Sequence, residues 1–107
     1  MPKPLEGLRV IDLTRVLAGP FCTMLLADMG ADVIKLENPK GGDDSRAFGP
    51  FKNGLSEYDM GLNRSKRSAT LNLKEPRGKE ILKKLVADAD ILVENYKPGT
   101  MKKLGLD

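Results

Sequence analysis

Apolar positions along this chain follow two alternating periods. Leu8, Val10, Ile11 and Leu13 make a short, mostly apolar run, as expected for a strand covered on both faces. A turn follows, Arg15-Val16-Leu17-Ala18-Gly19-Pro20. Pro20 suits the first turn of a helix, where its missing N–H costs nothing. Beyond it, Phe21, Met24, Leu25, Leu26 and Met29 run apolar almost all round. That pattern predicts a buried helix rather than an amphipathic one, with Gly30 placed to end it. Asp32-Val33-Ile34-Lys35-Leu36-Glu37 reads as a second strand, parallel to the first through a right-handed helical crossover.

A second unit repeats the scheme. Ser68-Ala69-Thr70-Leu71-Asn72-Leu73 reads as a strand with Leu71 and Leu73 on one face. Pro76 sits near a helix start, and Ile81, Leu82, Leu85, Val86 and Ala89 recur at helical spacing. Lys79, Glu80, Lys83, Lys84 and Asp88 fall mainly on the outer side. Ile91-Leu92-Val93 is a fourth strand, and Pro98 opens a short helix through Lys103. Between the units, residues 38–67 keep no period and are punctuated by glycines at 41, 42, 49, 54 and 61. A connection this long inside a small domain points to a functional loop. It reads as a mostly ordered active-site loop region (37–67 when Glu37 is counted), with a short helix around Glu57–Leu62. The fold class is α/β: one segment over residues 1–107, with an open, mainly parallel, Rossmann-like sheet and flanking helices.

Composition narrows the classes. At 107 residues the chain suffices for one small domain with a modest core. It has no apolar run long enough to span a bilayer and no signal-like N-terminus, so a cytoplasmic protein without a membrane partner is expected. The single cysteine, Cys22, cannot close an internal disulfide. Its place in the apolar helix reads as a small core residue. The absence of histidine removes histidine triads and histidine-containing metal sites from what this chain does alone, and no metal site is expected. The net charge of +3 arises entirely after residue 53. A weakly basic half suits a small polyanion but not nucleic acid, which calls for a denser basic face with aromatics.

Placed between strand and helix, the turn at 15–20 occupies the position where α/β proteins hold phosphorylated ligands. It lacks the G-x-G-x-x-G spacing of a dinucleotide site, since only Gly19 is glycine. Gly19 reads equally well as a simple helix-entry glycine. Glu37 at a strand end mimics a ribose-binding acid, but without the glycine fingerprint that reading is discounted. Asp12 reads as a structural acid, and Asp43 and Asp44 as loop-capping acids. Arg64, Lys66 and Arg67 form a basic cluster that suits phosphate, although ion pairing to neighbouring acids explains it more simply.

Five segments, PLEGLRVIDLTRVLAGP, GADVIKLE, GDDSR, NRSKRSATLNLK and ADILVENYKPGTMKKLG, occur in an order and at spacings that resemble the family III CoA-transferases across nearly the whole chain. That superfamily includes the formyl-CoA transferases, carnitine CoA-transferases and α-methylacyl-CoA racemases. The R-V-L-A-G-P-F turn looks closest to the branch handling dicarboxylyl-CoA esters such as succinyl-CoA. The resemblance implies an enzyme that moves CoA between an acyl-CoA and a carboxylic acid. An aspartate attacks the acyl-CoA carbonyl, the resulting anhydride is opened by CoA thiolate, and an enzyme-bound thioester passes CoA to the acceptor. It further implies an interlocked homodimer and no permanently bound cofactor, with coenzyme A or acyl-CoA as substrate and a small carboxylic acid as co-substrate.

Carried over by position, the family's CoA contacts fall on Arg15, Val16, Leu17 and Ala18 in the turn. They fall on Asn38 after the second strand, where the family often has an arginine, and on Leu71, Asn72, Leu73 and Lys74 after the third. After the fourth strand they fall on Asn95, Tyr96 and Lys97, then Lys103 and Leu104. Leu17 stands where the formyl-CoA transferases typically carry glutamine, which argues against formate specificity. Lys74, Lys97 and Lys103 supply cations for phosphates, and Tyr96 a flat wall for adenine or pantetheine. The family's nucleophilic aspartate matches no residue here. No catalytic residue is therefore assigned, and the chain is expected to be an amino-terminal part that is inactive alone. An acyl-CoA racemase of the same fold and a non-catalytic CoA- or nucleotide-binding module remain the alternatives.

Overall fold

The computed structural model describes residues 3–40, 42–43, 51–52, 55–56 and 61–106. Its main sheet contains β1 (Arg9–Asp12), β2 (Asp32–Glu37), β5 (Arg67–Thr70) and β6 (Ile91–Val93), in the order β5-β2-β1-β6 and parallel throughout. β3 (Phe51–Lys52) and β4 (Leu55–Ser56) form a separate antiparallel pair within the long connection. The helices packed with them are α1 (Ala18–Asp28), α2 (Pro76–Ala87) and α3 (Thr100–Lys103). This is the α/β, parallel, Rossmann-like arrangement expected from the two-period pattern.

Each face of the sheet has its own core. Val10 and Val33 pack with Ala27 of α1 and Ala31 behind it. On the other face Ile11, Leu13 and Leu36 pack with Leu82 of α2, joined by Leu71, Leu73, Tyr96 and Met101. Leu71 and Leu73 follow the third main strand rather than belonging to it, because β5 ends at Thr70. Their side chains nevertheless reach the α2-face core.

α1 departs from expectation. Its buried residues are Gly19, Pro20, Thr23, Met24 and Ala27. Leu17, Phe21, Leu25 and Met29 lie four apart on the outer side and are 42–52% exposed. Cys22 is exposed rather than a core residue. The physical reason is that one sheet face contacts only one side of a helix, and the small residues of α1 are those that approach it closely. Apolar composition all round does not say which side is covered. Gly30 ends the helix as expected: its φ is 106°, and the Ala31 N–H donates to the Leu26 carbonyl in a Schellman-type closure.

In the long connection, Asn53-Gly54 between the two short strands is a strong sequence signal for a hairpin. Of the helix expected around Glu57–Leu62, Gly61 and Leu62 are helical and the remainder lies outside the described residues. Asp44 also lies outside them.

Gly78 in the first turn of α2 packs against the backbone of Asn72, and an added Cβ would collide with the Asn72 carbonyl oxygen. Glycine to alanine inside a helix ordinarily stabilises by about 0.5–1 kcal/mol. Here Gly78→Ala is expected to reverse sign and destabilise by about 1–3 kcal/mol, measured by urea denaturation. A stabilised variant would show that α2 is not packed on the 71–74 turn.

Candidate functional site

The carboxyl ends of the strands carry a polar cluster on the α1 face. Parallel register sets Asp12 of β1 opposite Lys35 of β2, and Lys35 opposite Ser68 of β5. Asp12 is fully buried. Its carboxylate accepts the Thr14 N–H (2.8 Å), the Thr14 hydroxyl and the Thr23 hydroxyl (2.7 Å). It also pairs with the Lys66 ammonium at 3.1 Å, with both side chains buried. Lys66 donates further to the Pro20 carbonyl (3.1 Å) and Asn63 Oδ1 (2.9 Å). Burial holds the Lys66 pKa below its usual value, although Asp12 opposes that shift.

Lys35 is the second buried cation. Its ammonium donates to Asp43 (2.6 Å), Asn63 Oδ1 (3.1 Å) and the Thr14 carbonyl (3.3 Å). Glu37 accepts the Asp43 N–H (3.1 Å) and the Ser68 hydroxyl (2.9 Å). Every buried side-chain polar atom among the described residues has a partner. Asp12 is thus the structural acid that was expected, and Glu37 has its oxygens engaged inside the fold rather than presented to a ribose. The basic cluster also resolves into ion pairs: Arg64 with Asp28 (2.8 Å), Arg67 with Asp32 (2.6 Å) and Lys66 with Asp12.

Beside this cluster, over the carboxyl ends of the strands, lies a cleft of about 350 Å³. Its floor is Leu13, Leu36 and Leu71, and its rim carries Arg15, Lys40 and Lys74. This is where open α/β sheets take ligands. Of the residues anticipated from sequence, Arg15, Asn38, Leu71, Asn72, Leu73, Lys74, Tyr96 and Leu104 line it. The Arg15 guanidinium lies 5.6 Å from the Tyr96 ring centroid. Burial pushes the Tyr96 phenol up, with Arg15 pulling partly the other way.

The other six anticipated residues do not line the cleft. Val16, Leu17 and Ala18 stand at the α1 entrance, with the Leu17 side chain turned to solvent. Lys97 and Lys103 are exposed outside it. Asn95 clamps the turn instead: its carboxamide accepts the Arg15 N–H (3.0 Å) and donates to the Arg15 carbonyl (2.9 Å), as a neighbouring strand would. Gly19 owes its identity to packing, since a Cβ there would run into Thr14.

Sequence reasoning missed Lys40, Thr100 and Lys35. Lys40 lies two residues past Asn38, whose side chain accepts the Lys40 N–H at 2.9 Å and so sets the turn. Lys40 thereby places a cation on the cleft beside Asn38. The signal for Lys35 was a lysine in the middle of a buried strand, which requires a partner.

Fold and cleft together define an α/β protein whose strand-end cleft has a cationic rim and an apolar floor. The sequence profile of CoA-transferase family III matches residues 5–107, so the chain belongs to that family. It is similar to succinyl-CoA:glutarate CoA-transferase of Mus musculus, with 56% identity over 97% of this chain and 24% of the relative. It is similar to succinate–glutarate CoA-transferase of Agrobacterium fabrum, with 50% identity over 97% of this chain and 28% of the relative. A crystal structure of a CaiB/BaiF family protein from Brucella suis superimposes with a TM-score of 0.91 at 45% identity, over 100% of this chain and 29% of that one. The chain thus spans about a quarter of the length of the curated relatives it matches.

Removing one member of a buried ion pair strands the other charge, at a cost of about 3–5 kcal/mol. Lys66→Met is expected to destabilise the chain by that amount, whereas Arg64→Met, which breaks an exposed pair, is expected to cost under about 1 kcal/mol. Chemical denaturation of both variants measures the contrast. Equal effects would contradict the buried network.

Proposed function

We propose that this chain forms the coenzyme A-binding part of a CoA-transferase that moves CoA between an acyl-CoA and a carboxylic acid. The observation that carries the reading is the cleft at the strand ends, where apolar walls and Tyr96 sit beside Arg15, Lys40 and Lys74. Coenzyme A has this chemistry: a 3′-phosphate and a pyrophosphate need cations, while adenine and pantetheine need flat or apolar surface. Membership of the family supports it. Succinyl-CoA and glutarate appear in the names of the relatives, so a dicarboxylyl-CoA donor and a dicarboxylate acceptor are the proposed substrates.

The chemical step belongs to a residue outside this chain. In the proposed cycle an aspartate attacks the thioester carbonyl and expels CoA thiolate, giving a mixed anhydride. The thiolate then attacks the aspartyl carbonyl, releasing the donor acid and leaving an enzyme thioester. The acceptor carboxylate attacks the enzyme thioester and expels CoA thiolate, giving a second mixed anhydride; the thiolate then attacks the acceptor's carbonyl, so that the new acyl-CoA leaves and the aspartate is regenerated. Among the described residues, the carboxylates lining the cleft are Glu37 and Asp43, and both are engaged by backbone and side-chain partners. Binding and orientation, rather than nucleophilic attack, are therefore the roles proposed for these residues, and the isolated chain is proposed to be inactive. A cytoplasmic location and an interlocked homodimer belong to the same proposal. No helix of the described residues is long and apolar enough to cross a membrane.

A charge-assisted hydrogen bond to phosphate is worth about 1.5–3 kcal/mol when partly desolvated. Lys74→Ala is expected to weaken coenzyme A binding about tenfold to a hundredfold, read by isothermal titration calorimetry. Lys83→Ala, outside the cleft on α2, is expected to change it less than about twofold. Equal affinities for all three proteins would remove the cleft from the binding site.

A further inference from the structure

Val16 has φ of 72°, in the left-handed region. A β-branched residue there is an outlier, and it persists only where surrounding contacts over-determine the backbone. On one side, Asn95 fixes the neighbouring Arg15 peptide through its two hydrogen bonds. On the other, the Val16 N–H donates to the Asp43 carboxylate, at 3.1 Å to Oδ1 and 3.4 Å to Oδ2.

Asp43 is equipped for this task. It lies 27 residues along the chain from Val16, within the long connection, yet is only 3% exposed. Its carboxylate takes the Lys35 ammonium at 2.6 Å, and its own N–H is anchored on Glu37 at the end of β2. An aspartate that merely capped its own loop would bond to backbone two or three residues away. This one reaches across to the turn between β1 and α1.

We propose that Asp43 is a positioning residue for the ligand turn: it holds Val16 left-handed, so that Arg15 is delivered over Tyr96 at the cleft rim while Leu17 turns outward into α1. Lys35 holds that carboxylate in place through the 2.6 Å contact. The long connection then contributes to ligand binding by setting the backbone of a distant turn, in addition to any contact of its own. This rests on the coenzyme A reading of the cleft.

Two measurements test it. The first is amide hydrogen exchange at Val16 in the ligand-free, unsubstituted chain. Slowing of at least about tenfold relative to an unstructured peptide is expected; exchange at the unprotected rate overturns the proposal. The second compares coenzyme A dissociation constants of the unsubstituted chain, Asp43→Asn, Val16→Gly and the double variant. Asp43→Asn is expected to weaken binding about tenfold when residue 16 is valine. In the Val16→Gly background the same substitution is expected to cost less than about threefold, because glycine adopts a positive φ without a Cβ penalty. Equal losses in both backgrounds overturn the proposal, since Asp43 would then act independently of the turn. Should Asp43→Asn fail to fold, the exchange rate in the unsubstituted chain decides. Should the unsubstituted chain not bind coenzyme A, the reading of the cleft fails, and Val16 exchange still decides the role of Asp43.

Discussion

Two buried lysines that share one acceptor hold the functional end of this sheet together. Lys35 and Lys66 each place an ammonium within reach of three oxygens, and both donate to Asn63 Oδ1. Withdrawing such charges from water costs several kcal/mol per ion, and well-packed apolar residues would be about as stable. The contribution of the network is therefore geometric. It ties the end of β1, the first turn of α1, the segment 63–66 and Asp43 to fixed points, where an apolar plug would leave their backbones free to slide.

That constraint explains why the two faces of the sheet differ. On the α2 face, Ile11, Leu13, Ile34 and Leu36 pack into one apolar core along the strands. On the α1 face, Val10 and Val33 give way to Asp12, Lys35 and Glu37 towards the carboxyl end. The cleft sits where these regimes meet. Its floor is borrowed from the apolar core, and its walls are backbone turns whose positions are set by the polar one. Turns built on Asn38 and Asn72, whose side chains accept N–H groups two residues on, present Lys40 and Lys74 at the rim. The cleft surface is made largely of loops, but each loop is pinned at a strand end.

Much of this was legible in the sequence. Parallel, buried strands read as apolar runs and helices as 3.6-residue periods, so β1, α1, β2, α2 and β6 emerged in order. The covered side of α1 did not emerge: Phe21, Leu25 and Met29 are as apolar as Met24, and only tertiary contact separates them. β5 was misjudged at its end because Leu71 and Leu73 are core residues without being ladder residues. At the cleft, Arg15, Asn38, Leu71 to Lys74 and Tyr96 follow strands and line one cavity, because topology brings all strand ends to one edge. Beyond the last strand the position in the chain does not say which side chains face the cleft: Thr100 and Leu104 line it, whereas Lys97 and Lys103 are exposed outside it. Lys35 and Lys66 carried a signal of their own kind, but their partners stand 8 and 54 residues away, and sequence spacing alone could not pair them.

The most direct test is a titration of the isotopically labelled chain with coenzyme A, following each backbone amide by NMR. The account expects shifts at Thr14 to Val16, Asn38, Lys40, Leu71 to Lys74 and Tyr96, with α2's outer face unmoved. Shifts confined to other surfaces, or none at saturating coenzyme A, would contradict the claim that the strand-end cleft is the binding site.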